Sequence, residues 1–288
     1  MVSYAQTTTI ATAAHAILFG VYIATFFLCC RWLLFTDDGW SKRKDIKWSM
    51  LIVTFVIFAL STVDFAMSLR TTLSSLSSSA EGLHPESTIS IAVESLTAVI
   101  IDGVLIFRCW IVYDKSWRVV AGFLFPLLYN IASLIVFTYW GSIELKTMTT
   151  IFHVQIVRLH EVFLISTILI NVCATSAIIW QIWKNCISPH LLRFATRIVA
   201  DSGLLYTFTS LLLLCTISVD NAAQGLELPR MLASAICYPV AGIAYNLILI
   251  RAAQYRDNDP IERLPSLEFI TPVDTNTDYE LTPQPSRV

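Results

Sequence analysis

Seven stretches of roughly twenty apolar residues, separated by short polar segments, constrain this chain more than any other feature. They run 10–35, 48–69, 89–113, 119–140, 161–183, 203–219 and 231–250. A helix needs about 20 residues to cross the hydrocarbon core of a bilayer, because each residue advances it by only about 1.5 Å. The sixth stretch is the shortest, and residues 198–202 can lengthen it; the fifth can begin near Val154. A soluble domain carries about 25% charged residues, whereas this chain of 288 has 14% and is 56% hydrophobic. That is too little polar surface to coat a water-soluble exterior. The pattern predicts an all-α polytopic membrane protein: a seven-helix transmembrane bundle over residues 1–251, followed by a tail over 252–288.

Basic residues orient the bundle. Of the 19 Lys and Arg, 15 fall on the side that holds the first, third and fifth connections and the tail, and 4 on the other. Cytosolic segments collect Lys and Arg, so the expected topology has the N-terminus outside and the C-terminus in the cytosol. Trp32, Trp48, Trp110, Trp117, Trp140, Trp180 and Trp183 sit near span ends, as an interfacial aromatic belt requires. The first apolar stretch lacks a basic leader and is long enough to span, so it is expected to insert and remain. The tail is polar and punctuated by Pro260, Pro265, Pro272, Pro283 and Pro285, a composition that cannot bury a core and predicts disorder. Thr271-Pro272 and Thr282-Pro283 in it have the form of proline-directed phosphorylation sites.

Ionisable residues inside a span cost roughly 2.5–3.5 kcal/mol each on insertion scales, so each needs a reason to be there. The second span carries Asp64, and the third carries Glu94 and Asp102. The latter two are eight residues apart, about 80° of helical rotation, and can share one broad side with Ala98 between them. Asp64, Glu94 and Asp102 are the candidate ligand-binding groups, with His160 and Glu161 nearby in the outer half. Arg108 in the third span and Asp201 at the start of the sixth match in depth, and form a candidate conformational latch near the cytosol. The neutral polar set adds Asn130, Asn171, Tyr245 and Asn246. Pro126 and Pro239 each remove one helix hydrogen bond and favour a kink.

Other chemistry is poorly represented. The five histidines are scattered, with no H-E-x-x-H and no paired Cys/His spacing, so neither a metal nor another cofactor is expected. All seven cysteines lie within or near apolar stretches, which argues against a disulfide framework and for small packing residues. A net charge of −2 offers no basic face for nucleic acid. The seventh span has no Lys to hold retinal as a Schiff base.

Two segments carry a resemblance. They are Asp102-Gly103-Val104-Leu105-Ile106-Phe107-Arg108-Cys109-Trp110-Ile111-Val112-Tyr113 and Asp201-Ser202-Gly203-Leu204-Leu205-Tyr206. Together with the seventh-span close Gly242-Ile243-Ala244-Tyr245-Asn246, they resemble a group of seven-span integral membrane proteins of basidiomycete fungi, whose sixth span usually opens with Glu where this chain has Asp201. The topology also resembles that of G-protein-coupled receptors. The third span, however, reads Phe107-Arg108-Cys109 where those receptors carry Asp-Arg-Tyr, and Tyr238-Pro239 only loosely echoes Asn-Pro-x-x-Tyr. The resemblance implies a fold and a fungal membrane location, and no reaction.

The leading expectation is therefore a receptor-like protein of the plasma membrane. It would sense a small external ligand and work through a cytosolic signalling partner, with the lipid bilayer as its surroundings. The alternatives are a membrane-embedded enzyme on lipid or terpenoid substrates, with Glu94 and Asp102 as general acids, and a non-catalytic accessory protein.

Overall fold

The computed structural model describes residues 4–35, 48–77, 85–147, 153–185, 203–219 and 227–258. These form seven helices: α1 (Tyr4–Leu34), α2 (Trp48–Ser77), α3 (Pro85–Val112), α4 (Trp117–Thr147), α5 (His153–Asn185), α6 (Gly203–Val219) and α7 (Glu227–Asn258). Six are long and apolar enough to cross a membrane, and α6 is a shorter apolar helix. There is no strand among the described residues. Every expected span is a helix, and most are longer than their apolar stretch. α2 runs on through the Thr71–Ser77 segment, where the hydroxyls of Thr71, Thr72, Ser74 and Ser75 bond back to carbonyls three or four residues earlier. α7 continues past Arg251 to Asn258. The extension expected at 198–202, Asp201 included, and the tail from 259 lie outside the described residues.

The distribution of side chains is inverted relative to a soluble protein. Phe125 is 82% exposed and Ile17 71%, while Asp102, Asn130, Asn246, Thr54 and Ser95 have no accessible surface. An apolar exterior around a polar interior is stable only where lipid is the solvent.

Neighbouring helices pack along the chain order, α1 on α2, α2 on α3, α3 on α4 and α4 on α5. α7 closes the bundle against α1 and also meets α2 and α3, while α3 reaches α5. α6 joins α5 through Asn171 Nδ2, which donates to the Gly203 carbonyl at 3.1 Å. On its other side Leu213 and Ile217 share an apolar cluster with Ala233, Cys237 and Tyr238 of α7.

Three seams fix these contacts. Between α1 and α2, Thr12 shares hydrogen bonds with Ser68 (3.0 Å) and Thr72 (2.7 Å), and Thr8 with Ser75 (3.0 Å). In hydrocarbon such hydroxyls have no water to turn to, so they bond across helices. Between α1 and α7, Tyr22 is wholly buried against Gly242, where an added Cβ would come within 2.7 Å of the ring. Between α5 and α6, a Cβ on Gly203 would lie 2.7 Å from Thr175. Both glycines permit a close helix approach. α4 and α7 continue through Pro126 and Pro239, neither of which supplies a backbone donor. The carbonyl of Pro126 accepts instead from Ser166 Oγ of α5 at 3.3 Å.

Candidate functional site

The polar interior is built in three levels, counted from the end of the bundle where α1 begins. The first joins α1, α2, α3 and α7. Asp64 is buried on α2 and accepts a hydrogen bond from Ser90 Oγ of α3 at 2.5 Å. His15 of α1, also buried, places Nε2 3.9 Å from the other Asp64 oxygen, and its ring meets Phe65 edge-on at 5.4 Å. One turn further along α3, Glu94 accepts from Ser234 Oγ of α7 at 3.1 Å. The two carboxyls lie close enough to act on each other's charge, and Arg230 acts on Glu94 and on His160.

Accessibility separates these groups. Glu94, Ser234, Ser90, His160 and Arg230 are all half-buried. Glu94 and Ser234 nonetheless face one another between α3 and α7. His160 lies between the rings of Phe137 (5.8 Å) and Phe163 (6.2 Å), and Glu161 accepts from Ser218 Oγ at 3.5 Å.

An apolar layer lies below this level. Ala98, Phe163, Leu213, Cys237 and Tyr238, from α3, α5, α6 and α7, are buried together. Beneath it is the second level. Asp102 has no accessible surface, and its Oδ2 accepts from Thr167 Oγ1 of α5 at 3.0 Å and from Asn130 Nδ2 of α4 at 3.4 Å. Asn130 Nδ2 also donates to Thr167 Oγ1 at 3.1 Å. Tyr206 of α6 lies close enough to interact with the carboxyl. The shared side expected for Glu94 and Asp102 thus resolves into two sectors: Glu94 addresses α7, and Asp102 addresses α4 and α5. The 80° between them is enough to change partners.

At the third level Arg108 carries its guanidinium over the Tyr245 ring of α7, 5.7 Å from the centroid, in a cation–π arrangement. Cys29 of α1 is also within its electrostatic reach. Asp201, the other half of the expected latch, lies outside the described residues. The structure brings Asp64 and Glu94 together, sets Asp102 apart beneath them, and gives Arg108 an α7 neighbour.

Sequence reasoning singled out the acids but not most of their partners. Ser90, Ser234 and Thr167 are hydroxyls on otherwise apolar helices, and nothing in their spacing distinguishes them from hydroxyls that bond back to their own helix, such as Thr138 to Leu134. His15 carried a signal, as an imidazole in mid-span, but its partner is on another helix. No group of three or more His, Cys, Asp or Glu that could hold a metal occurs among the described residues.

Fold and interior together define a multi-pass integral membrane protein. Comparison with protein-family models, with curated proteins and with solved structures finds no match.

Proposed function

We propose that the protein is a receptor-like seven-span membrane protein that binds a small external ligand in the recess between α2, α3 and α7. The observation that carries this reading is the Glu94–Ser234 contact, made between α3 and α7 by side chains that are only half-buried. With Asp64 beside it, the recess presents two carboxyls and several hydroxyls, a lining suited to a ligand that offers hydrogen-bond donors. Asp102 lies beneath the apolar layer, so it takes part through movement of that layer and not by first contact.

The 15-to-4 distribution of basic residues supports an external N-terminus and a cytosolic tail. A recess that opens outward is useful to a sensor at the plasma membrane. The resemblance to the basidiomycete seven-span group supports the same topology. Arg108 against Tyr245 couples α3 to α7 near the cytosolic end. A shift of α7 at the recess would therefore be felt at the opposite face, and Asp201 completes a latch there if α6 moves with it.

Proximity labelling in a fungal host tests the assignment, with the labelling enzyme fused after Val288 and an unrelated seven-span protein as control. Enrichment of G-protein subunits or kinases is the expected result. Enrichment of lipid or terpenoid biosynthetic enzymes at internal membranes would overturn it in favour of an enzyme that uses Glu94 and Asp102 as acids.

A further inference from the structure

The turn that joins α3 to α4 is short and closed by its own backbone. The Asp114 N–H donates to the Ile111 carbonyl at 3.1 Å, and the Lys115 N–H to the Trp110 carbonyl at 2.9 Å. Such a pair of bonds ends a helix on a left-handed residue, a place glycine usually fills. Here Asp114 (φ 50°) and Lys115 (φ 61°) both stand in that region. Aspartate visits it readily, but lysine gains nothing from it locally. What the conformation secures is a fixed starting point for an exposed ammonium at the end of the bundle. The turn is also tied sideways, because Tyr113 Oη donates to the Ala177 carbonyl of α5 at 3.0 Å.

Cys109 and Ile178 pack together here with Tyr113, Val119 and Ala177 against them, so the end of α3, the start of α4 and the last turns of α5 meet. Beside Lys115, these segments expose Arg118 of α4 and Lys184 of α5. Asp114 is the one acid in 107–123 and 177–185, which leaves the surface positive. The indoles of Trp117, Trp180 and Trp183 are exposed at the same end. Indoles settle at headgroup depth, so the three cations stand near the plane of the lipid phosphates. We propose that Lys115, Arg118 and Lys184 form a docking surface for anionic phospholipid headgroups, with the indoles packed beside them. Charge complementarity selects the occupant: ammonium and guanidinium donate to phosphate oxygens, and an anionic headgroup adds a second attraction where the choline of a neutral lipid brings a repulsion. An acidic protein segment would have to displace lipid from three indoles to reach the same cations.

The test is native mass spectrometry of the purified full-length protein in detergent, titrated with phosphatidylserine or with phosphatidylcholine of the same acyl chains. Wild type should hold phosphatidylserine the more tightly. Arg118→Ala/Lys184→Ala should cut that preference by about five-fold or more, the effect of losing at least one basic contact at a charged membrane surface. Arg70→Ala/Arg158→Ala removes the same charge from exposed positions at the opposite end and should leave the preference unchanged. Lys115→Gly should weaken phosphatidylserine binding while keeping or raising the thermal midpoint, because glycine takes the left-handed conformation freely; a midpoint that rises with no loss of lipid would make the turn merely structural and overturn the role of Lys115. Equal affinity of wild type for the two lipids would overturn the surface as a whole. So would equal losses in the two double variants, which would mean that net charge alone draws the lipid. Loss of cytosolic partners from Arg118→Ala/Lys184→Ala in proximity labelling, with no lipid preference in wild type, would assign the surface to an acidic protein instead.

Discussion

At the scale of single residues, the polar groups that join the helices do so through what they accept from or donate to a neighbour. Thr167 is the clearest case, because it donates to Asp102 and accepts from Asn130. Thr167→Val keeps the shape and removes the hydroxyl, so it should destabilise the protein by about 1–3 kcal/mol, the cost of leaving a buried polar group short of a partner. Thermal unfolding of the variant in detergent checks this, and a neutral substitution would mean that the triad contributes no stability. Ser90 and Asp64 give a second case. Ser90→Ala and Asp64→Asn should be non-additive, with a coupling of about 0.5–3 kcal/mol in a double-mutant cycle, because the Ser90 hydroxyl bonds directly to the carboxyl. Strict additivity would remove that bond from the account.

At the scale of helices, the close approaches of α1 to α7 and of α5 to α6 depend on two glycines. Gly242→Ala places a methyl group within 2.7 Å of the Tyr22 ring, and Tyr22 is wholly buried and has nowhere to retreat. The variant should lose about 1–3 kcal/mol as the seam is forced apart. Gly20→Ala is the control: nothing lies within 4 Å of its added Cβ, so higher helix propensity should leave stability unchanged or raised by up to about 1 kcal/mol. Equal behaviour of the two variants would contradict the tight seam. The helices themselves were legible in the sequence, since apolar runs of spanning length have few other stable forms. Their ends were less so: α2 outruns its apolar stretch because Thr and Ser near its end bond to the helix backbone. Rotation was not legible at all. Depth alone paired Arg108 with Asp201, which lies outside the described residues, and gave no sign of Tyr245 of α7, over which the guanidinium lies, because apolar stretches with no polar face do not show which side meets which neighbour.

At the scale of the whole molecule, an apolar exterior surrounds an interior that is polar at three levels and interrupted by an apolar layer around Phe163 and Leu213. That arrangement sets Asp64 and Glu94 on one side of the apolar layer and the wholly buried Asp102 on the other. The acids Asp64, Glu94 and Asp102 were visible in the sequence because charge is rare inside a span. Their division between the two levels was not, since it depends on which hydroxyls from other helices reach them. The division is most directly tested by cysteine accessibility in intact cells, in a background lacking the seven native cysteines. A membrane-impermeant thiol reagent added outside should modify Ser234→Cys readily and leave Thr167→Cys unmodified, with both variants reacting fully once unfolded. If Ser234→Cys stays inert from outside, or reacts only when the cytosolic face is opened, the recess does not face outward and the receptor-like reading fails with it.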